Sequence, residues 1–287
     1  MRSKIKILFE LTKIKITIFV TLTTAVGFIA YTGIITQAFY EVVVGILFLA
    51  CGSAVINHIQ EKDTDALMDR TKNRPLPSGK ISVTSAIVLS AILLITGSII
   101  LYFGPGELAL GLALLNLIWY NGLYTPLKKR SSLAILPGAL VGAIPPAVGW
   151  VAAGGYIFDK EIIVISFFFF IWQVPHFWLL LISLDREYKQ AGFPTITRYF
   201  SREQLSRIIF IWLIATVVTG AMIPFFEVVK FSFAYYSLLL GGIWLTWNAS
   251  KLLGNHEKRI SFRFIFRDIN FFALLVALVI SLDKFIV

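Results

Sequence analysis

The sequence predicts an all-α, polytopic membrane protein with about nine transmembrane helices. Three observations carry that expectation. Mean hydropathy is +0.81 and charged residues make up only 15% of the 287 positions, where a soluble domain carries about 25%. Apolar runs of about 20 residues, the length that crosses a bilayer core, recur along the chain. The basic residues fall in alternate loops. They cluster at the N-terminus (Arg2, Lys4, Lys6, Lys13, Lys15), after the second run (Lys62, Arg70, Lys72, Arg74, Lys80) and after the fourth (Lys128, Lys129, Arg130). They return after the sixth (Arg186, Lys189, Arg198, Arg202, Arg207) and the eighth (Lys251, Lys258, Arg259, Arg263, Arg267). Only Lys160, Lys230 and Lys284 of the 26 lie elsewhere. This is the positive-inside pattern. It predicts a multi-pass protein with a cytoplasmic N-terminus, an external C-terminus and an odd number of spans, and the absence of a transit-like leader favours the cell inner (plasma) membrane over an organellar one. It also accounts for the net charge of +10 with a lipid bilayer and no nucleic acid as partner.

The elements follow in order. Residues 2–14 interleave Lys with Ile, Leu and Phe and read as an amphipathic lead-in on the membrane face. The run at 16–34 exceeds a signal-peptide core and no small-residue cleavage site follows it, so it reads as a retained helix. The second run, 39–58, ends in a dense patch of acids and bases, and its Cys51 reads as a small buried hydrophobe. The third, 83–103, turns at Gly104-Pro105-Gly106-Glu107 into the fourth, 108–125. The fifth, 133–154, is rich in Gly, Ala and Pro, the composition that lets helices approach closely. The sixth, 162–183, carries Pro175 and His176 among aromatics. The last three, 206–226, 232–252 and 265–285, add membrane character only, and His256 between them reads as a solvated surface histidine. The whole, 1–287, reads as one transmembrane domain. Two inside loops, 59–81 and 184–205, are long and charged, as functional loops are.

The first of these loops holds the strongest site. Asn57, Glu61, Asp65 and Asp69 are spaced by four, so on one helix each step turns only about 40° and the four share a face. Asp63 points away, and Pro75 and Pro77 end the helix. Oxygen ligands of this kind suit Mg²⁺, which is held by one or two carboxylates plus substrate phosphates. Arg70 and Arg74, also four apart, can clamp phosphate oxygens. In a soluble protein the same pattern reads as a solvated, salt-bridged helix end. At a membrane boundary with few charges to spare, a binding site is the stronger reading. His58 beside it either orients its neighbours or acts.

The pattern Asn57-x-x-x-Glu61-x-x-x-Asp65, followed by Asp69-Arg70-Thr71-Lys72-Asn73-Arg74-Pro75-Leu76, resembles the first aspartate-rich motif of the UbiA superfamily of intramembrane prenyltransferases. The run with Asp63, Asp65 and Arg70-Thr71-x-Asn73-Arg74-Pro75 is most similar to the protoheme IX farnesyltransferase (heme O synthase) branch. Glu61 stands where that family usually has Asp. Tyr124-Thr125-Pro126-Leu127-Lys128-Lys129-Arg130, Gly142-Ala143-Ile144-Pro145-Pro146-Ala147-Val148-Gly149-Trp150 and Trp172-Gln173-Val174-Pro175-His176-Phe177-Trp178 resemble further elements of the same branch. Asp185-Arg186-Glu187-Tyr188-Lys189-Gln190-Ala191-Gly192 resembles its second acidic motif, with Glu187 for the usual Asp. Phe193-Pro194-Thr195-Ile196-Thr197 departs from the family's Val-Pro-Met-Leu-Pro. The likeness covers about residues 50–200.

The resemblance implies helices surrounding a central cavity and Mg²⁺-dependent transfer of a farnesyl group from farnesyl diphosphate to a vinyl group of heme B. Asn57, Glu61, Asp65 and Glu187 would hold metal and diphosphate, and Asp69 would add to the metal shell or pair with a basic neighbour. Arg70, Arg74 and Lys128 would stabilise the departing pyrophosphate. Tyr124, Trp172, His176 and Tyr188 would face the substrates. The product implies handover to a heme A synthase or terminal oxidase. A transferase acting on an aromatic quinone precursor or another polycyclic acceptor is the alternative, and a transporter the more distant one. A transporter would set its charges near the bilayer midplane rather than at its edge.

Overall fold

The computed structural model describes residues 2–254 and 262–286, so His256 lies outside the described residues. The described residues form helices and turns, with no strand among them. A short α1 (Arg2–Leu11) precedes α2 (Ile14–Thr32) and α3 (Gln37–Gln60). The one-turn α4 (Lys62–Ala66) opens the first long loop. Next come α5 (Val83–Phe103), α6 (Glu107–Leu127), α7 (Ile135–Ala152) and α8 (Lys160–Ser183). The short α9 (Asp185–Gln190) lies in the second long loop, and α10 (Arg202–Phe225), α11 (Ser232–Ser250) and α12 (Phe262–Ile286) complete the described chain.

Eight of these helices are long and apolar enough to cross a membrane. The ninth predicted span is α11, a helix of 19 residues. Tyr235, Tyr236, Trp244, Trp247 and Asn248 lower its hydropathy, but aromatics of this kind favour the membrane interface. Each long helix packs on its neighbour in the chain, and α12 returns to α2, closing a ring. Phe103, Phe225 and Trp247 are among the large apolar side chains left exposed on the outside, where acyl chains take the place of water. The buried core holds Phe28, Phe168, Leu179, Leu213 and Phe272.

Inside the ring α2 crosses α7 at very short range. A Cβ on Gly27 would stand 1.9 Å from the Pro146 carbonyl oxygen, and one on Gly149 1.9 Å from the Thr24 carbonyl oxygen. Only glycine permits that approach, so the small residues of the fifth run do serve close packing. Gly138 and Gly142 of α7 do a second job. The Tyr124 ring and the Gln173 amide occupy the space their side chains would fill.

The first long loop departs from expectation. The helix of the second span ends at Gln60, and Glu61 takes φ −104° and ψ 3°. After α4 the chain runs in turns to Ser82. The physical reason is local competition for backbone partners. The Thr71 hydroxyl donates to the Asp65 carbonyl oxygen at 2.8 Å, and Arg74 folds back onto the Asp65 carboxylate. A second surprise lies in α6, whose residues Trp119–Tyr124 form a π-helical turn. Such bulges concentrate at functional sites.

Candidate functional site

The break after α3 gathers the first acids differently from a straight helix. Asn57, Glu61 and Asp65 remain together and are buried. Asp69 does not join them. Its side chain is 76% exposed and bonded to Lys72 at 2.6 Å, because the turns after α4 carry it away from the α3 axis. Of the two roles expected of Asp69, a place in the metal shell or a pairing with a basic neighbour, the structure shows the pairing. Asp63 is exposed, as expected.

Each buried acid faces a cation. Lys128 pairs with Glu61, and Arg74 Nη1 lies 2.7 Å from Asp65 Oδ2. Asn57 is held from two sides. Its Nδ2 donates to Thr125 Oγ1 at 3.1 Å, and its Oδ1 accepts from Lys13. His58 is buried beside them, its Nδ1 3.9 Å from Asp65 Oδ2. Lys13 sits in the turn between α1 and α2 with a left-handed backbone, φ 47° and ψ 46°. A non-glycine residue in that region is uncommon, and here it aims the ammonium at Asn57.

The charges perturb one another. Desolvation pushes Lys13 down to about 8, opposed by Glu61 and reinforced by Lys128 and Arg74. Burial penalises the Glu61 carboxylate, yet Lys128 and Lys13 together hold it below the ordinary carboxylate value. Lys128 also loses hydration, and Glu61 raises it above the usual ammonium value. Three cations against two carboxylates leave an excess of positive charge, which suits a polyanionic ligand.

The second long loop folds onto the first. Met68 is buried with Ala191 and Phe193, and Tyr188 packs against them. Arg70 Nε approaches Glu187 Oε2 at 3.8 Å, beyond hydrogen-bond range, so that buried oxygen has no hydrogen-bond partner. Phe193 to Thr197, where the sequence departs from the family, is locally coherent. The Phe193 ring lies 5.1 Å from the Tyr188 ring. Thr197 donates to Asp185, and Lys189 lies 2.7 Å from the same carboxylate. Burial raises Asp185, but Lys189, Thr197 and Thr195 outweigh it and hold the carboxyl below its ordinary value.

Aromatic contacts lead away from the polar cluster. Lys128 lies over the Tyr124 ring, 5.7 Å from its centre. Tyr124 stacks on Phe177 at 5.8 Å, and Phe177 meets His176 at 5.7 Å. Trp172 and Phe266 flank the imidazole at 4.6 and 4.9 Å. The predicted residues Tyr124, Trp172 and His176 thus belong to one lane that starts at the acids and ends between α8 and α12.

No three His, Cys, Asp or Glu side chains among the described residues converge on a point where they could form a metal cage by themselves. The donor set still fits a cation of the Mg²⁺ type. Asn57, Glu61 and Asp65 offer hard oxygens, the Glu187 oxygen is buried without a hydrogen-bond partner, and Mg²⁺ usually takes only one or two carboxylates and completes its shell with phosphate and water.

A family model described as the UbiA prenyltransferase family matches residues 18–275. The chain belongs to the UbiA prenyltransferase family. Among its UbiA relatives, the protoheme IX farnesyltransferase of Flavobacterium psychrophilum is 33% identical, over 96% of this chain and 94% of that protein. The protoheme IX farnesyltransferase of Geobacter sulfurreducens is 41% identical, over 63% of this chain and 67% of that protein. Solved structures share the UbiA fold at lower identity. A digeranylgeranylglyceryl phosphate synthase superposes with TM-score 0.80 at 18% identity, covering 99% of this chain and 100% of that one. A UbiA homolog from Archaeoglobus fulgidus bound to GPP and Mg²⁺ gives 0.67 at 17% identity, covering 98% and 100%. As a member of the UbiA family the chain is a prenyltransferase and a multi-pass membrane protein.

Four residues escape sequence reasoning. Lys13 enters the sequence reading only as a basic residue of the N-terminal lead-in, and Thr125 only as part of a motif. Asn121 lies buried on the π-helical turn and ties α6 to α3. It accepts from the Ser53 hydroxyl at 2.6 Å and donates to the Ser53 carbonyl at 3.1 Å. Asn270 of α12 meets His176. Asn121 and Asn270 carried a readable signal, since amides inside apolar runs are rare and pair with something.

Proposed function

We propose that the protein transfers the farnesyl group of farnesyl diphosphate to a vinyl group of heme B, giving heme O. Two buried acids, each paired with a cation, beside an aromatic lane that leads to His176 are the geometry that supports this reading. The acceptor is supported by the names of the curated relatives. Asn57, Glu61, Asp65 and Glu187 would hold Mg²⁺ together with the diphosphate, as the Mg²⁺ and GPP in the Archaeoglobus relative suggest. The metal supplies charge neutralisation of the leaving group.

The chain's own residues do the rest. Arg74, Lys128 and Lys13 carry positive charge where the departing diphosphate develops negative charge, and Arg70 adds to it from the loop. The allylic C–O bond breaks with both electrons leaving on the diphosphate. The farnesyl C1 then bonds to the terminal vinyl carbon. The cation left on the inner vinyl carbon takes water and loses a proton, so the product carries a hydroxyethylfarnesyl chain. Tyr124, Phe177 and Trp172 offer apolar and π surface that shields the allylic cation from early water. Glu61, one methylene longer than the usual Asp, reaches Lys128 from a residue that has already left the helix. The basic loops support a position of this polar end at the cytoplasmic face of the inner membrane. The product would pass to a heme A synthase or terminal oxidase.

The test is a competition. Labelled farnesyl diphosphate and Mg²⁺ are supplied with equal heme B and aromatic quinone precursor. Label in the heme is the expected result. Label in the aromatic acceptor alone would overturn the acceptor assignment.

A further inference from the structure

His176 has a partner that no motif announces. Asn270 sits on α12, facing α8 in an apolar part of the ring. His176 Nδ1 and Asn270 Oδ1 are 2.8 Å apart. The other end of the amide is fixed, because Asn270 Nδ2 lies 2.5 Å from the Phe266 carbonyl oxygen. A carbonyl can only accept, so the amide nitrogen must point at Phe266 and the amide oxygen at His176. The oxygen in turn accepts only from an N–H. His176 therefore carries its proton on Nδ1, and Nε2 holds an unshared pair. Nε2 makes no hydrogen bond with the described residues, and the imidazole is half-buried. A second tie, Trp172 Nε1 to the Ile269 carbonyl at 3.2 Å, locks the same stretch of α8 to α12. Trp172 and Phe266 both pack on the imidazole, their planes tilted from it by 41° and 39°.

Histidines that ligate metals almost always donate their other N–H to an oxygen acceptor, which fixes tautomer and orientation. We propose that Asn270 is a positioning residue that sets the His176 tautomer, and that His176 Nε2 is an axial ligand for the iron of the porphyrin acceptor. The proposal rests on the heme reading of this site. It adds how the acceptor is held: by its iron, with the flat ring against aromatic surface, at the far end of the lane from the diphosphate.

The test is a titration of purified protein in detergent with ferric heme B, without farnesyl diphosphate or Mg²⁺, read by Soret absorbance and low-temperature EPR. Wild type is expected to show a histidine-ligated ferric signature. His176→Ala should lose it. Asn270→Ala should keep the fold but bind heme about 10- to 100-fold more weakly, the usual loss for an outer-shell partner. Asn270→Asp keeps an acceptor opposite Nδ1 and should restore ligation with a lower reduction potential, a shift that mere packing would not produce. Retained binding of farnesyl diphosphate serves as the folding control for each variant. A wild-type signature in His176→Ala overturns the ligand, and a wild-type affinity in Asn270→Ala overturns the positioning role. Heme O formed by His176→Ala with an unaltered spectrum sinks this inference alone. Histidine ligation with no prenylated heme leaves it standing and sinks the proposed function.

Discussion

Arg74→Ala tests whether protein cations occupy the acids that a metal would otherwise satisfy. Arg74 Nη1 lies 2.7 Å from Asp65 Oδ2, and the carboxylate side chain is only 2% exposed. Removing one partner of a buried ion pair costs about 3–5 kcal/mol, because the other charge stays buried and unpaired. Arg74 is itself 19% exposed, so water reaches the site and the lower end, about 3 kcal/mol, applies. For a chain of this size that corresponds to a drop in Tm of roughly 6 °C, at about 2 °C per kcal/mol. His58 at 3.9 Å offers no permanent counter-charge. Mg²⁺ does, so millimolar Mg²⁺ should recover more Tm in Arg74→Ala than in wild type. The double variant Asp65→Asn with Arg74→Ala removes the stranded charge and should be nearer wild type without metal and insensitive to it. The assay is thermal unfolding in detergent, with and without Mg²⁺, by intrinsic tryptophan fluorescence. A single variant that melts with wild type, or equal Mg²⁺ stabilisation of single and double variants, would refute the reasoning.

Other outcomes follow from the same geometry. Lys128→Ala strips Glu61 of its partner and the leaving group of a cation, so kcat should fall by about 10²–10³, measured as prenyl transfer at saturating substrates. Asp69→Ala should leave activity and Tm at the wild-type level, since the side chain is exposed and pairs with Lys72; a loss comparable to that of Asp65→Ala would put it in the metal shell. Gly149→Ala places a methyl 1.9 Å from the Thr24 carbonyl and must force α2 from α7, at a cost of at least about 1–3 kcal/mol; lower yield of folded protein and a lower Tm are expected.

Much of this was legible because a bilayer leaves few choices. Backbone groups in lipid must bond within their own segment, so long apolar runs become helices, and all nine predicted spans are helical in the described residues. Asn57, Glu61 and Asp65 stayed together because one helical turn and a tight break carry all three. Asp69 parts from them because the helix does not run through to Pro75 as the spacing predicts; Thr71 and Arg74 bond back to Asp65 and end it. Lys13 and Asn270 could not be placed from spacing alone. They reach the site from segments distant in the chain: the packing of α2 on α3 brings Lys13 to Asn57, and the packing of α12 on α8 brings Asn270 to His176. The π-helical turn of α6 has no compositional mark, yet it directs Asn121 at Ser53.

The most direct test of the whole account is mass spectrometry of heme extracted after purified protein has been incubated with heme B, farnesyl diphosphate and Mg²⁺. A heme heavier by a farnesyl and a hydroxyl group is expected, absent with EDTA and absent in Asp65→Ala. Unmodified heme from folded, Mg²⁺-supplied protein that binds farnesyl diphosphate would contradict it.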